Sequence, residues 1–251
     1  MKKIIVITSK FNLMSGEVYK AYIKTEKARL EQEWISKRLE VFMRFTSQSL
    51  INQSDQRFIA IYAYEDSTEK NIFDTLAKYP KLPNNIRFVK KTEYMNELNK
   101  ITEGYDTLLL TRLDSDDLYR NDFVERLMNY DIKDDLEEIL CQRGYIYDSI
   151  NNKLAEYYHK QFTFYTFIYR LGKGDNKYSS LEVSPMELLL DFSHFRTTDY
   201  NYETLPGRNF IFNIHNKNTD SGFSDYNHGF NRVERFIDNK QKIEDILYDF
   251  L

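Results

Sequence analysis

The sequence predicts an α/β protein with a mainly parallel, Rossmann-like central sheet flanked by helices and an elaborated C-terminal half. Two observations lead to this fold class. Apolar runs of strand length alternate with segments of helical period over roughly the first 115 residues. Such alternation is typical of right-handed crossovers between parallel strands. Beyond residue 119 the alternation is lost, and loop-forming residues become frequent.

Four apolar runs predict the parallel strands. Each run is rich in β-branched, Leu or aromatic residues, which favour strands. Because the runs are continuous rather than alternating, we expect both faces of the sheet to be covered. The runs span residues 3–8, 57–64, 86–89 and 107–113.

Three segments between these strands follow the helical period and predict helices over residues 26–52, 69–79 and 93–102. In the first, large apolar side chains recur at steps of three to five residues. Ser67 or Thr68 is a candidate cap for the second helix, since hydroxyl side chains accept from free N–H groups there. Gly104 follows the third, as expected for a residue that ends a helix.

The second half of the sequence predicts fewer regular elements. Residues 161–169 form an aromatic run typical of a strand, and residues 172–176 predict a turn. A short helix is expected over residues 185–192. Residues 194–229 are rich in Asn, Asp and Gly, which indicates loops. Residues 230–251 show apolar side chains at helical spacing and predict an amphipathic helix.

Composition excludes several classes of protein. The chain has 251 residues with a formal net charge of −4, and its Lys and Arg residues are scattered, which argues against a nucleic-acid partner. Cys141 is the one cysteine, so neither disulfides nor a thiolate metal cluster is expected. The apolar run after Met1 is too short for a signal peptide. We therefore expect a cytoplasmic protein, with any membrane contact peripheral at the inner face.

Three aspartates follow the fourth predicted strand. They lie in the acidic motif, residues 114–117 (Asp-Ser-Asp-Asp). If the extended geometry of the strand persists, Asp114 and Asp116 point to the same side. Ligands of open α/β sheets bind at the carboxyl ends of the strands, and carboxylates there suit Mg²⁺ or Mn²⁺. The other interpretation is an ordinary acidic turn, since Asp is common in turns.

Residues 110–117 (LTRLDSDD) resemble the metal-binding stretch of glycosyltransferases with the GT-A fold. They are most similar to the signature of a bacterial rhamnosyltransferase family. The resemblance extends over roughly residues 4–218. It implies one glycosyltransferase domain over residues 1–251, divided into a nucleotide-binding half (1–118), an acceptor-side half (119–229) and a C-terminal helix (230–251). The other matching positions are Trp34, Arg38, Phe42, Ser49 and Gln53 in the first helix and the segments 143–148, 164–168 and 214–218.

The resemblance also implies a nucleotide-sugar site. Asp66, at the end of the second strand, contacts the base or ribose. The loop after the first strand, with Thr8 and Phe11, forms a wall of the base pocket. Asp114 holds the ribose, and Arg112 pairs with Asp114 or with Asp66, because a buried guanidinium needs such a partner.

The same resemblance implies a metal site for Mn²⁺ or Mg²⁺. Asp116 binds the cation directly, Asp114 binds it through water, and His215 completes the shell or contacts the pyrophosphate. For His215 an ordinary hydrogen-bonded loop histidine is an equally supported interpretation.

Transfer with inversion needs a general base that takes the proton of the acceptor hydroxyl. Three acids in the second half are candidates. Asp199 is preferred because it lies in a polar loop, and Asp191 and Glu203 are the alternatives.

The expected partners are a nucleotide-diphosphate sugar donor, in which rhamnose is only what the family name suggests, and a glycan or lipid-linked glycan acceptor. The sequence also leaves open a peripheral membrane contact and the formation of a homodimer. Two other functions remain as alternatives. One is a nucleotidyltransferase acting on sugar phosphates, against which the loop after the first strand counts because it contains no glycine. The other is a catalytically inactive carbohydrate-binding relative.

Overall fold

The structure is a computed structural model that describes residues 2–14, 27–160, 164–190, 192–193, 196–215 and 231–251. The described residues form two sheets with helices around them. The strands are β1 (Lys3–Lys10), β2 (Phe58–Tyr64), β3 (Ile86–Lys90), β4 (Thr107–Arg112), β5 (Leu118–Tyr119), β6 (Glu138–Leu140), β7 (Arg143–Asp148), β8 (Lys153–His159), β9 (Tyr165–Arg170), β10 (Tyr202–Thr204), β11 (Phe210–Ile214) and β12 (Asn231–Ile237). The helices are α1 (Gln32–Arg44), α2 (Thr46–Ile51), α3 (Glu69–Leu76), α4 (Tyr94–Ile101), α5 (Phe123–Met128), α6 (Pro185–Leu190) and α7 (Lys240–Tyr248).

The main sheet has seven strands in the order β10-β6-β9-β4-β1-β2-β3. β1 lies between β2 and β4, and these pairs and the β2–β3 pair are parallel. β9 is antiparallel to both β4 and β6, whereas β10 is parallel to β6. The predicted mainly parallel central sheet flanked by helices is confirmed.

The second sheet has five strands in the order β12-β8-β7-β11-β5. β11 is parallel to β7 and antiparallel to the two-residue strand β5. β5 follows β4 by only five residues, and those five residues include the acidic motif. The motif therefore lies at the junction of the two sheets.

Apolar side chains pack on both faces of the main sheet, as the continuous strand runs predict. One face carries Ile5, Ile7 and Leu109 and packs against α1. The other face carries Val6, Leu108 and Leu110 and packs against α4 and α6. A third cluster joins the second sheet to α7.

The first predicted helix, residues 26–52, is divided in two. α1 ends at Arg44 and α2 begins at Thr46, because Phe45 leaves helical geometry at φ −118° and ψ −73°. The predicted cap of α3 is also wrong. Thr68 donates its hydroxyl to the Glu65 carbonyl and accepts from Asn12, so its side chain does not cap the helix. Gly104, with φ +76°, follows α4 as predicted.

The C-terminal prediction of one helix over residues 230–251 is wrong. β12 pairs antiparallel with β8, with a register shift between Val233 and Arg235. Only α7 is helical, and Asn239 caps it by accepting from the Lys242 N–H at 3.0 Å. Pairing with β8 satisfies the backbone groups of β12, so tertiary contact decides this segment against its helical spacing.

Part of the predicted loop over residues 194–229 is also regular structure, since β10 and β11 lie within it. Residues 194–195 and 216–230 lie outside the described residues. Within the described part of the chain, every helix is too short or too polar to cross a bilayer.

Candidate active site

The acidic motif forms a turn rather than a continuation of the strand. The Asp117 N–H donates to the Asp114 carbonyl at 3.2 Å. The expectation that Asp114 and Asp116 lie side by side in extended geometry is therefore not met. As a result, the two carboxylates have different partners.

Asp114 is held from the two neighbouring strands. Its Oδ1 accepts from Ser9 Oγ at 2.9 Å and from Arg112 Nε at 3.0 Å, and its Oδ2 accepts from Arg112 Nη2 at 3.2 Å. Of the two partners that the sequence allows for Arg112, the structure therefore selects Asp114 rather than Asp66. The Asp114 side chain keeps 27% of its surface exposed, so it remains accessible to a ligand.

Asp116 is held from a helix and from the second sheet. Arg38 of α1 donates Nη1 to Oδ2 and Nη2 to Oδ1, both at 2.8 Å, which is a bidentate pair. His215 Nε2 lies 3.0 Å from Asp116 Oδ2 and 3.3 Å from Arg38 Nη1. The Asp116 side chain is only 12% exposed.

The third acid, Asp117, connects the motif to β11. Its Oδ1 accepts from the Asn213 N–H at 3.0 Å, and its Oδ2 has no hydrogen-bond partner in the described residues. Burial, together with the negative charges of Asp116 and Asp114, raises the pKa of Asp117 well above its ordinary value. Asp117 thus holds β11 at the motif, and His215 follows β11 directly.

Two other residues predicted to contact the nucleotide lie in and directly after β1. Thr8 and Phe11 are buried, at 5% and 3% exposure. Thr8 donates to the Tyr94 hydroxyl, and the Phe11 ring packs edge-on against Trp34 and Phe88. The Phe11 side chain therefore packs in the core, whereas Thr8 lines a cavity together with Ser9 and Arg112. The role of this loop as a wall of the base pocket stays a prediction.

Asp66 lies at the end of β2, as predicted, and its carboxylate is partly exposed. It accepts from the hydroxyl and the backbone N–H of Thr92 in the turn before α4. The Thr92 hydrogen bond is the main cause that lowers the pKa of Asp66. Asp66 is therefore an ionised acid that bridges two loops at the carboxyl ends of the strands.

Two of the acids proposed as general base lie away from the motif, and the third lies outside the described residues. Glu203 of β10 accepts from Tyr130 and Lys133, so both of its oxygens are occupied. Asp199 is exposed just before β10, and its charge acts on Glu138 of β6 rather than on the motif. Asp191 lies outside the described residues. The residue before it, Leu190, accepts from Lys10 Nζ at 2.9 Å, next to Ser9.

The family model described as "Putative rhamnosyl transferase" matches residues 5–162, more than half of the chain. The chain belongs to this family. The matched range includes α1 and the acidic motif, so the resemblance inferred from residues 110–117 is confirmed. No curated protein matches the chain.

Solved structures are similar at low identity. TarS of S. aureus is 13% identical over 85% of this chain and 37% of that chain, with a TM-score of 0.41. TarS 1–349 in complex with UDP is 14% identical over 85% of this chain and 61% of its own, with a TM-score of 0.38. A 4-diphosphocytidyl-2C-methyl-D-erythritol synthase from Anaerococcus prevotii is 14% identical over 98% of this chain and 94% of its own, with a TM-score of 0.35. The chain thus spans less than two thirds of these TarS chains.

The metal donors implied by family resemblance are present in part. Asp116 and His215 supply a carboxylate oxygen and an imidazole nitrogen 3.0 Å apart, and the carboxylate is the kind of ligand that suits Mn²⁺ or Mg²⁺. In the described residues no group of three or more His, Cys, Asp or Glu side chains is placed to hold a metal ion. Mg²⁺ commonly takes one or two carboxylates and completes its shell with water and substrate phosphates. The residues therefore fit a cation that is shared with a diphosphate.

Three contacts of this family member were not assigned from its sequence. Arg38 matched the helix pattern, but its partner was unknown. Asp117 lies in the acidic motif, but its bond with the Asn213 N–H joins residues that are 96 positions apart, so the sequence did not indicate it. Ser9 showed no signal of its own, because Ser is frequent in loops. The position of Arg38 on the helix after the first strand is its one signal, and Arg44 on the same helix shares it.

Proposed function

We propose that this chain transfers a sugar from a nucleotide-diphosphate sugar to a glycan or lipid-linked glycan acceptor, with Mn²⁺ or Mg²⁺ as cofactor. The observation that carries the proposal is the convergence of Asp116 and His215, which lie 99 residues apart in the sequence and 3.0 Å apart in space. They meet at the carboxyl end of a parallel strand, where ligands of open α/β sheets bind.

Each proposed role follows from a contact in the site. A cation held by Asp116 and His215 would supply positive charge to offset the charge that develops on the leaving diphosphate. Asp114 keeps an accessible carboxylate, held in position by Arg112 and Ser9, that can accept from ribose hydroxyls. Asp66 offers a second ionised acid for the base or ribose.

The finer features of the proposal rest on the family. Its description supports rhamnose as the sugar. Inversion at the anomeric carbon is the simplest course, because one acid then suffices as general base. We place the reaction at the cytoplasmic face, where a peripheral contact would give access to a lipid-linked acceptor.

A donor screen tests the proposal. The purified chain is incubated with dTDP-rhamnose and with UDP-, GDP- and CDP-sugars, in Mn²⁺, in Mg²⁺ and in EDTA, and release of nucleoside diphosphate is measured. Release from one donor class, dependent on the cation and lost in Asp116→Asn, is the expected result. Asp74→Asn is the matched control, because Asp74 is a surface acid paired with Lys70 on α3.

Two further measurements on the purified chain separate the alternatives: incubation with a sugar phosphate and a nucleoside triphosphate, and direct binding of sugars. A nucleotidyltransferase would consume a sugar phosphate and nucleoside triphosphate and release pyrophosphate. A carbohydrate-binding relative would bind sugars without releasing any nucleotide. Either outcome would contradict the proposed transfer.

A further inference from the structure

Arg38 contacts two residues of the acidic motif and also His215. From α1 its Nε donates to Ser115 Oγ at 2.7 Å, and its two terminal nitrogens donate to the two oxygens of Asp116 at 2.8 Å. Nη1 also lies 3.3 Å from His215 Nε2. The guanidinium therefore contacts both of the side chains assigned to the cation.

These contacts use the atoms that a divalent cation needs. Both oxygens of Asp116 accept from Arg38, and an arginine can only donate. A dication that binds at Asp116 and His215 would lie beside a permanent positive charge, in a place where both side chains are mostly shielded from water. Asp116 already has its counter-charge without a metal ion.

A diphosphate changes this balance. It adds negative charge and oxygen acceptors beside the motif, and a guanidinium binds phosphate oxygens as readily as it binds carboxylates. The Arg38 side chain is 17% exposed, so part of its surface is open to solvent. Two protein donors are also too few to fill the shell of Mn²⁺ or Mg²⁺ unless phosphate oxygens supply others.

We propose that Arg38 is a built-in counter-cation that occupies Asp116 in the free protein and keeps divalent cations out until a nucleoside diphosphate binds. The cation and the nucleotide then bind cooperatively, and Arg38 moves part of its hydrogen bonding to the diphosphate. This inference rests on the proposed function for the identity of the ligands. It makes Arg38 a positioning residue that also sets the order of binding.

The test is a titration of Mn²⁺ against the purified chain, with free Mn²⁺ followed by electron paramagnetic resonance and without nucleotide. Arg38→Gln should bind Mn²⁺ about 10-fold more tightly than the wild type, because the competing charge is gone while a polar side chain remains. Arg44→Gln is the matched control, because Arg44 lies on the same helix and stacks over Phe45. Its Mn²⁺ affinity should equal that of the wild type.

Arg38→Lys is a second variant that keeps the test decisive if Arg38→Gln does not fold. It keeps the charge and loses the fork, so its Mn²⁺ affinity should lie between those of the wild type and Arg38→Gln. Unchanged or weaker Mn²⁺ binding in both folded variants would overturn the proposal and make Arg38 a scaffold for Asp116.

A second titration distinguishes failure of this inference from failure of the proposed function. UDP or dTDP at saturation should raise the Mn²⁺ affinity of the wild type by about 10-fold or more and have a smaller effect on Arg38→Gln. If neither nucleotide binds the wild type in Mn²⁺, the proposed function fails. If the nucleotides bind but the two proteins respond equally, only the role of Arg38 is overturned.

Discussion

Acids gather at two places on the main sheet, and their partners differ. At the carboxyl end of β4, Asp114 and Asp116 each pair with an arginine. At the opposite edge, formed by β6 and β10, Glu203 pairs with a lysine and a tyrosine. The Glu138 carboxylate is buried there with no hydrogen-bond partner among the described residues. Both groups adjoin polar segments, so composition does not distinguish them.

What distinguishes the two groups is the number of elements that converge on each. The motif receives side chains from α1, from β1 and from the end of β11, and it joins the two sheets. The β6–β10 edge belongs to one sheet alone. Accessible acids held in position by several elements are the ones that can bind and orient a substrate.

The largest expected effect tests the general base. Because Glu203 is paired with Lys133 and Tyr130 and Asp199 lies beside Glu138, we expect Asp191→Asn, of the three candidates, to lower the transfer rate by roughly 10²–10⁴-fold while nucleotide affinity is kept. Asp199→Asn and Glu203→Gln should transfer at near-normal rates. Steady-state kinetics and calorimetry measure the two quantities. A large loss at Asp199 alone would restore the base predicted from the sequence and weaken the contrast between the two edges.

The next effect separates the two aspartates of the motif. Asp116→Asn should lower Mn²⁺-dependent binding of nucleoside diphosphate by about 100-fold, because the amide loses the charge that holds the cation. Asp114→Asn should weaken binding by about 10-fold and keep its dependence on Mn²⁺. Calorimetry with and without EDTA distinguishes these results. Equal loss of Mn²⁺ dependence in the two variants would show that both carboxylates bind the cation.

Glu138 supplies a pH test of the opposite edge. Burial, with the charges of Glu137 and Asp199, raises the pKa of Glu138 from 4.5 to about 9. Between these values the folded protein keeps a proton that the unfolded chain releases, so the free energy of unfolding falls as the pH rises. The slope is at most about 1.4 kcal/mol per pH unit.

Urea unfolding at a series of pH values measures that slope. Glu138→Gln should flatten it, because the amide cannot lose a proton, and Glu244→Gln on the exposed face of α7 should leave it unchanged. The same slope in Glu138→Gln would mean that another group titrates.

The smallest effect concerns Asp66. Asp66→Ala should weaken nucleotide binding by about 10-fold and lower the free energy of unfolding by about 1 kcal/mol or less, since its contacts are exposed. Thr92→Val removes the hydroxyl that donates to Asp66 and keeps the Asp66 carboxylate. Its nucleotide affinity should therefore be closer to that of the wild type than the affinity of Asp66→Ala is. A collapse of Tm in Asp66→Ala with affinity kept would make Asp66 a structural bridge instead.

The parallel half of the fold was predictable because its signals are local. The runs that form β1 to β4 are continuous and apolar, and a segment of helical period follows each of the first three. The C-terminal segment was mispredicted because Val233, Phe236 and Ile237 fit helical spacing, whereas the partner strand β8 decides their conformation. The burial of Phe11 was not predictable, because burial depends on which side chains pack against a loop.

The sequence by itself determined the order of the parallel elements, the position of the acidic motif after the fourth strand and the pairing of Arg112 with a nearby acid. These features depend on neighbours along the chain or on a strand of fixed period. Only the tertiary structure decided that Asp116 contacts Arg38 and His215. Arg38 lies 78 residues before Asp116 in the sequence, and His215 lies 99 residues after it. No local propensity encodes contacts across such separations. They exist because β5 and β11 pair at the junction of the two sheets and bring the ends of three elements together.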